Sequence, residues 1–114
     1  MRRTTSSPFG GETRTRVLVA LGLLETSYAR ELARLLVAPV SGVRKAIAAL
    51  ERDGLVSGRL VGRTRVVQLN PTYFAREALE AYLLRLAEAD LELQVGVRAL
   101  RRRPAAATST PSDA

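Results

Sequence analysis

Between Ala29 and Asn70 the apolar residues change period once, and few small folds accommodate such a change. Leu32, Ala33 and Leu36 predict a short helix over Ala29–Leu36. After a tight turn, Val43, Ile47 and Leu50 fall at steps of four and three, predicting a second helix over Val40–Arg52. The same stripe continues to Gly54 and Leu55. Pro39, which lacks an N–H, suits the opening of that helix, and Gly54 suits its end. The next stretch, LVSGRLVGRTRVVQLN from Leu55 to Asn70, is β-branched and strand-like around Gly62-Arg63, which predicts a hairpin. Counting outward from the turn pairs Leu60 with Arg65, Gly58 with Val67 and Val56 with Leu69 on one face. The inner part of that face is apolar and can cover the helices. Arg63 and Arg65 project near the tip, with Arg59 close by on the opposite face.

On the N-terminal side, Val17, Leu18, Ala20, Leu21 and Leu24 predict an amphipathic first helix over Glu12–Leu24, with Arg14 and Arg16 facing solvent. On the C-terminal side, Asn70-Pro71 marks a boundary, because proline disfavours helix in the residue before it. A long helix is expected from about Thr72 to Arg102. Its seam consists of Leu79, Leu83, Leu86, Asp90, Leu93, Val97 and Leu100, at alternating steps of four and three, interrupted once by an acid. Asp90 either fixes register by pairing with Arg85 or a partner's arginine, or faces water beside Gln94. The expected organisation is therefore a flexible arm over 1–11, a core over 12–70, a long C-terminal helix over 71–103 and a disordered tail over 104–114. In the arm, Arg2 and Arg3 either touch a phosphate or a minor groove or belong to a disordered terminus. The fold class is mainly α with a small β-hairpin.

Composition narrows what such a fold can do. At 114 residues and 46% apolar content the chain has enough for one core. It holds neither Cys nor His, which excludes thiolate and imidazole metal ligands, cysteine nucleophiles and serine–histidine catalysis. No convergent acid–base pair is visible, so no enzyme, no cofactor and no metal site are expected. No secretory segment or long apolar run is present, and the expected location is cytoplasmic, away from membranes. The formal charge is +7, and seventeen of the eighteen basic residues are arginine, Lys45 being the exception. Arginine bias arises either from a GC-rich genome or from anion recognition, for which its planar fork suits phosphates and guanine edges. Distribution bears on the choice, since residues 1–65 hold twelve basic and five acidic groups, whereas the remainder holds six of each. The excess thus accompanies the helices and the hairpin.

With its order of helix, short helix, turn, helix, basic hairpin and long helix, the chain resembles winged helix-turn-helix regulators of the ArsR and MarR type over roughly residues 14–100. ELARLL matches the Glu-Leu-Ala opening of their positioning helix, and Ser41, Val43, Leu50, Glu51 and Gly54-Leu55-Val56 fall, ungapped, at corresponding places. The resemblance implies a winged helix-turn-helix over about Tyr28–Asn70 and a homodimeric double-stranded DNA-binding transcriptional regulator, a repressor more than an activator. Its helix at Val40–Arg52 would enter the major groove, and its wing at residues 56–69 would reach the minor groove or phosphates. It implies DNA contacts from Val40, Ser41, Gly42, Arg44 and Lys45, and from the wing residues Arg59, Arg63 and Arg65. Arg44 is the candidate for a guanine contact, with Ser41 and Lys45 holding phosphate. The dimer is expected along Leu79, Leu83, Leu86, Leu93, Val97 and Leu100, its N-terminal half packing within the subunit and the rest between subunits.

Two departures from the family pattern fall at the turn. Val37 stands where glycine is usual, and Pro39 where a capping Ser or Thr is common. Because a β-branched residue is costly in a left-handed conformation, the turn is expected to use other dihedrals or to be longer. Val40 leaves room for contact with a thymine methyl. Metal sensing, which in the family uses Cys and His, is not expected. A protein-interaction or assembly module is one alternative, and a binder of RNA, or of nucleic acid without sequence preference, is another.

Overall fold

The computed structural model describes residues 9–102, the last of them by its backbone alone. Arg2, Arg3 and the tail at 104–114 lie outside the described residues. Five helices and three strands follow one another as α1 Glu12–Leu24, β1 Thr26–Ser27, α2 Ala29–Leu36, α3 Val40–Arg52, β2 Val56–Val61, β3 Thr64–Leu69, α4 Arg76–Glu88 and α5 Leu91–Arg102. The chain is thus mainly helical, with a small antiparallel sheet ordered β1-β3-β2. No helix among the described residues is long and apolar enough to cross a membrane.

The first three helices and the hairpin lie where the apolar spacing puts them. Leu60 faces Arg65, Gly58 faces Val67 and Val56 faces Leu69. Gly62 takes φ 67° at the turn, a region glycine enters without the Cβ penalty. Val56, Val67 and Leu69 are buried, so the inner end of the hairpin closes the core and its tip stands free. The two-residue strand β1 was not expected. It pairs with β3 through Thr26 and Gln68 and through Ser27 and Val67. Only the tertiary arrangement makes it, since two residues carry no period. Ser27 is buried and donates its hydroxyl to Glu31 Oε1 at 2.6 Å.

Helix α1 departs from the expected amphipathic pattern. Val17, Leu18, Val19, Ala20 and Leu21 are buried in succession, which a helix shows only when neighbours surround it. Those neighbours are α2 and α3, α4 and α5, and the sheet. Arg14 and Arg16 are accordingly half-buried rather than on a solvent face. Arg14 donates to the Phe9 carbonyl at 3.3 Å, and Arg16 donates to the Leu36 carbonyl at 3.1 Å, at the free end of α2.

The turn between α2 and α3 also corrects its expectation. Val37 does adopt the left-handed conformation, at φ 54° and ψ 54°, with its side chain 90% exposed. The backbone forms the two bonds of a Schellman cap, Val37 N–H to Arg34 O at 3.3 Å and Ala38 N–H to Ala33 O at 2.9 Å. Helix α3 ends in the same way, with Gly54 at φ 82° in the corresponding position and Leu55 N–H bonded to Leu50 O at 2.9 Å. The cap geometry therefore prevails at both ends, over glycine in one case and over valine in the other. Pro39 stands just before α3, as the residue flanking its first turn.

The single long C-terminal helix is the largest correction. Asn70 bonds its side-chain oxygen to the Thr72 N–H at 3.0 Å, an Asx turn that delays the helix to Arg76. A second break follows Glu88. There Asp90 Oδ1 accepts the Leu93 N–H at 3.0 Å and the Asp90 carbonyl accepts the Gln94 N–H at 3.1 Å, so the acid is the N-cap of α5. Gln94 returns its amide to the Ala87 carbonyl at 2.6 Å. Asp90 thus starts a helix instead of setting the register of a seam. The chain folds back, and Leu79, Leu83, Leu93 and Val97 are buried in the chain's own core, with Leu86 and Leu100 half-buried. Leu79 and Leu83 in one half of the expected seam, and Leu93 and Val97 in the other, are thus taken up within the subunit. Gly96 lies close to α2 on this return, since a Cβ there would be 2.6 Å from the Leu35 Cδ1 methyl.

Candidate nucleic-acid interface

Helix α3 buries Val43, Ala46, Ile47, Ala49 and Leu50. This buried stripe forces Ser41, Arg44, Lys45, Ala48 and Arg52 outward, and all five are exposed. Gly42 is half-buried, and nothing lies within 4 Å of where its Cβ would be. Val40 differs from the expectation of a free apolar contact, since it is half-buried and packed against the core.

Next to this helix the hairpin encloses a groove of about 410 Å³ with the start of α2. Arg30 of α2, Arg44 of α3 and Arg63 and Arg65 of the hairpin line it, with Glu51 as its acid and Ile47, Ala48 and Val67 among its apolar lining. Four arginines lining one cleft give it a basic character suited to anions. Arg30, Arg44 and Arg63 make no ion pair among the described residues, whereas Arg65 pairs with Glu51. The expected contact residues therefore divide. Arg44, Arg63 and Arg65 converge in the groove, Ser41 and Lys45 lie on the exposed face of α3, and Arg59 points from the other side of β2, where it is paired with Val66.

Arg30 and Glu51 gained their places in the groove from the fold, Glu51 having matched the family pattern without a role at the site. The signal for Glu51 was its spacing, because it stands seven residues after Arg44 and four after Ile47, on one stripe of α3. Gly58, inside a strand, was the other signal, since such a glycine marks a close approach. A Cβ at Gly58 would lie 2.8 Å from Glu51 Oε2 and 2.9 Å from Arg65 Nη2.

No family model, no curated protein and no solved structure matches the chain.

Proposed function

We propose that the chain is a winged helix-turn-helix transcriptional regulator, a repressor in the cytoplasm, that binds a specific double-stranded DNA site as a homodimer. In this reading α3 enters the major groove and the hairpin is the wing. The observation that carries the reading is the convergence of Arg44 on α3 with Arg63 and Arg65 on the hairpin in one basic groove. A helix that offers Ser41, Arg44 and Lys45 near its start, beside a basic ribbon, has the chemistry to hold phosphates and to read a guanine edge. One such unit covers a half-site, so two copies are required for a site of two half-sites one DNA turn apart. With most of the leucine seam internal, the large apolar residues on α4 and α5 that are more than half exposed, and so open to a second subunit, are Leu84, Leu91 and Val95.

Binding to the DNA flanking the chain's own gene, titrated with salt, tests the proposal. The specific site should bind about 10³-fold or more tightly than random duplex, with affinity falling steeply as salt rises. Arg44→Ala should relax preference at one base pair, a change of about 1–3 kcal/mol. Arg63→Ala should weaken all sites alike. Equal affinity for random duplex would replace the reading with a binder lacking sequence preference.

One observation favours a second reading. Leu60 and Val61 near the hairpin tip are 69% and 52% exposed, and apolar side chains there suit a protein surface better than phosphates. Absence of duplex binding at low salt would favour this interaction module.

A further inference from the structure

The pair Glu51–Arg65 joins two elements that otherwise separate toward the hairpin tip. Below it, Val56, Val67 and Leu69 are buried against the helices. Above it, Leu60, Val61, Gly62, Arg63 and Thr64 are exposed, so no apolar packing holds the tip. The Glu51 side chain is 24% exposed and the Arg65 side chain 53%. Both lie over the bare backbone of Gly58, in space that any Cβ would enter. A glycine inside β2 weakens the strand, and here the space it leaves is filled by an ion pair from two other elements.

We propose that Glu51 is a positioning residue of the basic groove: seated with Arg65 over Gly58, it clamps the hairpin to α3 and withholds Arg65 from phosphates. Resting on the DNA reading above for its second half, the inference assigns the groove's acid a role in specificity. A carboxylate among four arginines lowers the groove's attraction for any polyanion. It leaves Arg30, Arg44 and Arg63 as the free charges, so random duplex gains one phosphate contact fewer. The clamp also sets the distance between the charges on α3 and those on the hairpin, which a duplex must match.

Amide hydrogen exchange of residues 58–66 in the full chain tests the clamp without DNA. Glu51→Gln should speed exchange there about two- to fivefold, the range expected for losing an exposed ion pair, and leave α3 unchanged. Gly58→Ala gives the decisive sign, because alanine has less chain entropy to lose and would slow exchange if the pair were idle. Faster exchange in Gly58→Ala supports the clamp. Slower or unchanged exchange in Gly58→Ala, or unchanged exchange in Glu51→Gln, overturns it. For the second half, Glu51→Gln should steepen the salt dependence of random-duplex binding by about 0.9 in the log–log slope, one phosphate's worth. An unchanged slope overturns the withholding of Arg65. Failure of the unaltered chain to bind any duplex overturns the DNA reading, while the exchange result still decides the clamp.

Discussion

Val37 carries a conflict between its side chain and its backbone. A β-branched residue in the left-handed region costs about 1–2 kcal/mol, and a side chain 90% exposed recovers little of this by packing. The conformation persists because the two backbone bonds of the cap, together with Arg16 on the Leu36 carbonyl, satisfy the end of α2. Val37→Gly should therefore stabilise the fold by about 0.5–1 kcal/mol after the extra chain entropy of glycine is deducted. In urea denaturation the midpoint should rise with unchanged slope. A lowered midpoint would mean that the valine side chain makes a stabilising contact. Local sterics alone disfavour a left-handed Val37, and they are overruled because the cap bonds form through the backbone. At Gly54 local preference and cap agree.

Among the elements, legibility followed the number of residues that repeat a period. Helices α1, α2 and α3 and the register of the β2–β3 hairpin could be read because each repeats its pattern several times. Strand β1 could not, because its two residues become a strand only by pairing with β3. The break between α4 and α5 had a visible signal in Asp90, but heptad spacing alone favours continuation, since a capping acid and a surface acid look alike in sequence. Asp90→Ala removes the cap and should cost about 1 kcal/mol, lowering the urea midpoint. Asp90→Asn keeps an oxygen for the Leu93 N–H and should lose only a small part of that. Equal losses in the two variants would show that the charge matters and the capping bond does not. The groove is legible to the same degree: the exposed face of α3 follows from its buried stripe, whereas Arg30 and Glu51 enter through the approach of α2 and the hairpin.

For the whole molecule, the decisive feature is that α1 is a central helix with α4 and α5 folded against it. Leu83 on α4 is 1% exposed, packed beside α1, and faces Gly22, whose Cβ would lie 3.7 Å from Leu83 Cβ. Leu83→Ala should therefore destabilise the fold by about 2–5 kcal/mol, with the loss independent of protein concentration. A loss that grew on dilution would assign Leu83 to contact between subunits instead. From its sequence alone the chain determined the first three helices, where the hairpin turns and which face of α3 is left outward, since periodicity and turn chemistry act over a few residues. Tertiary structure decided that the leucine seam closes on its own subunit, that α1 is surrounded and that four arginines share a groove with one acid. Each of these depends on which surfaces meet. Burial rewards any apolar partner of fitting shape, so local spacing shows that a face must be covered but does not identify the element that covers it.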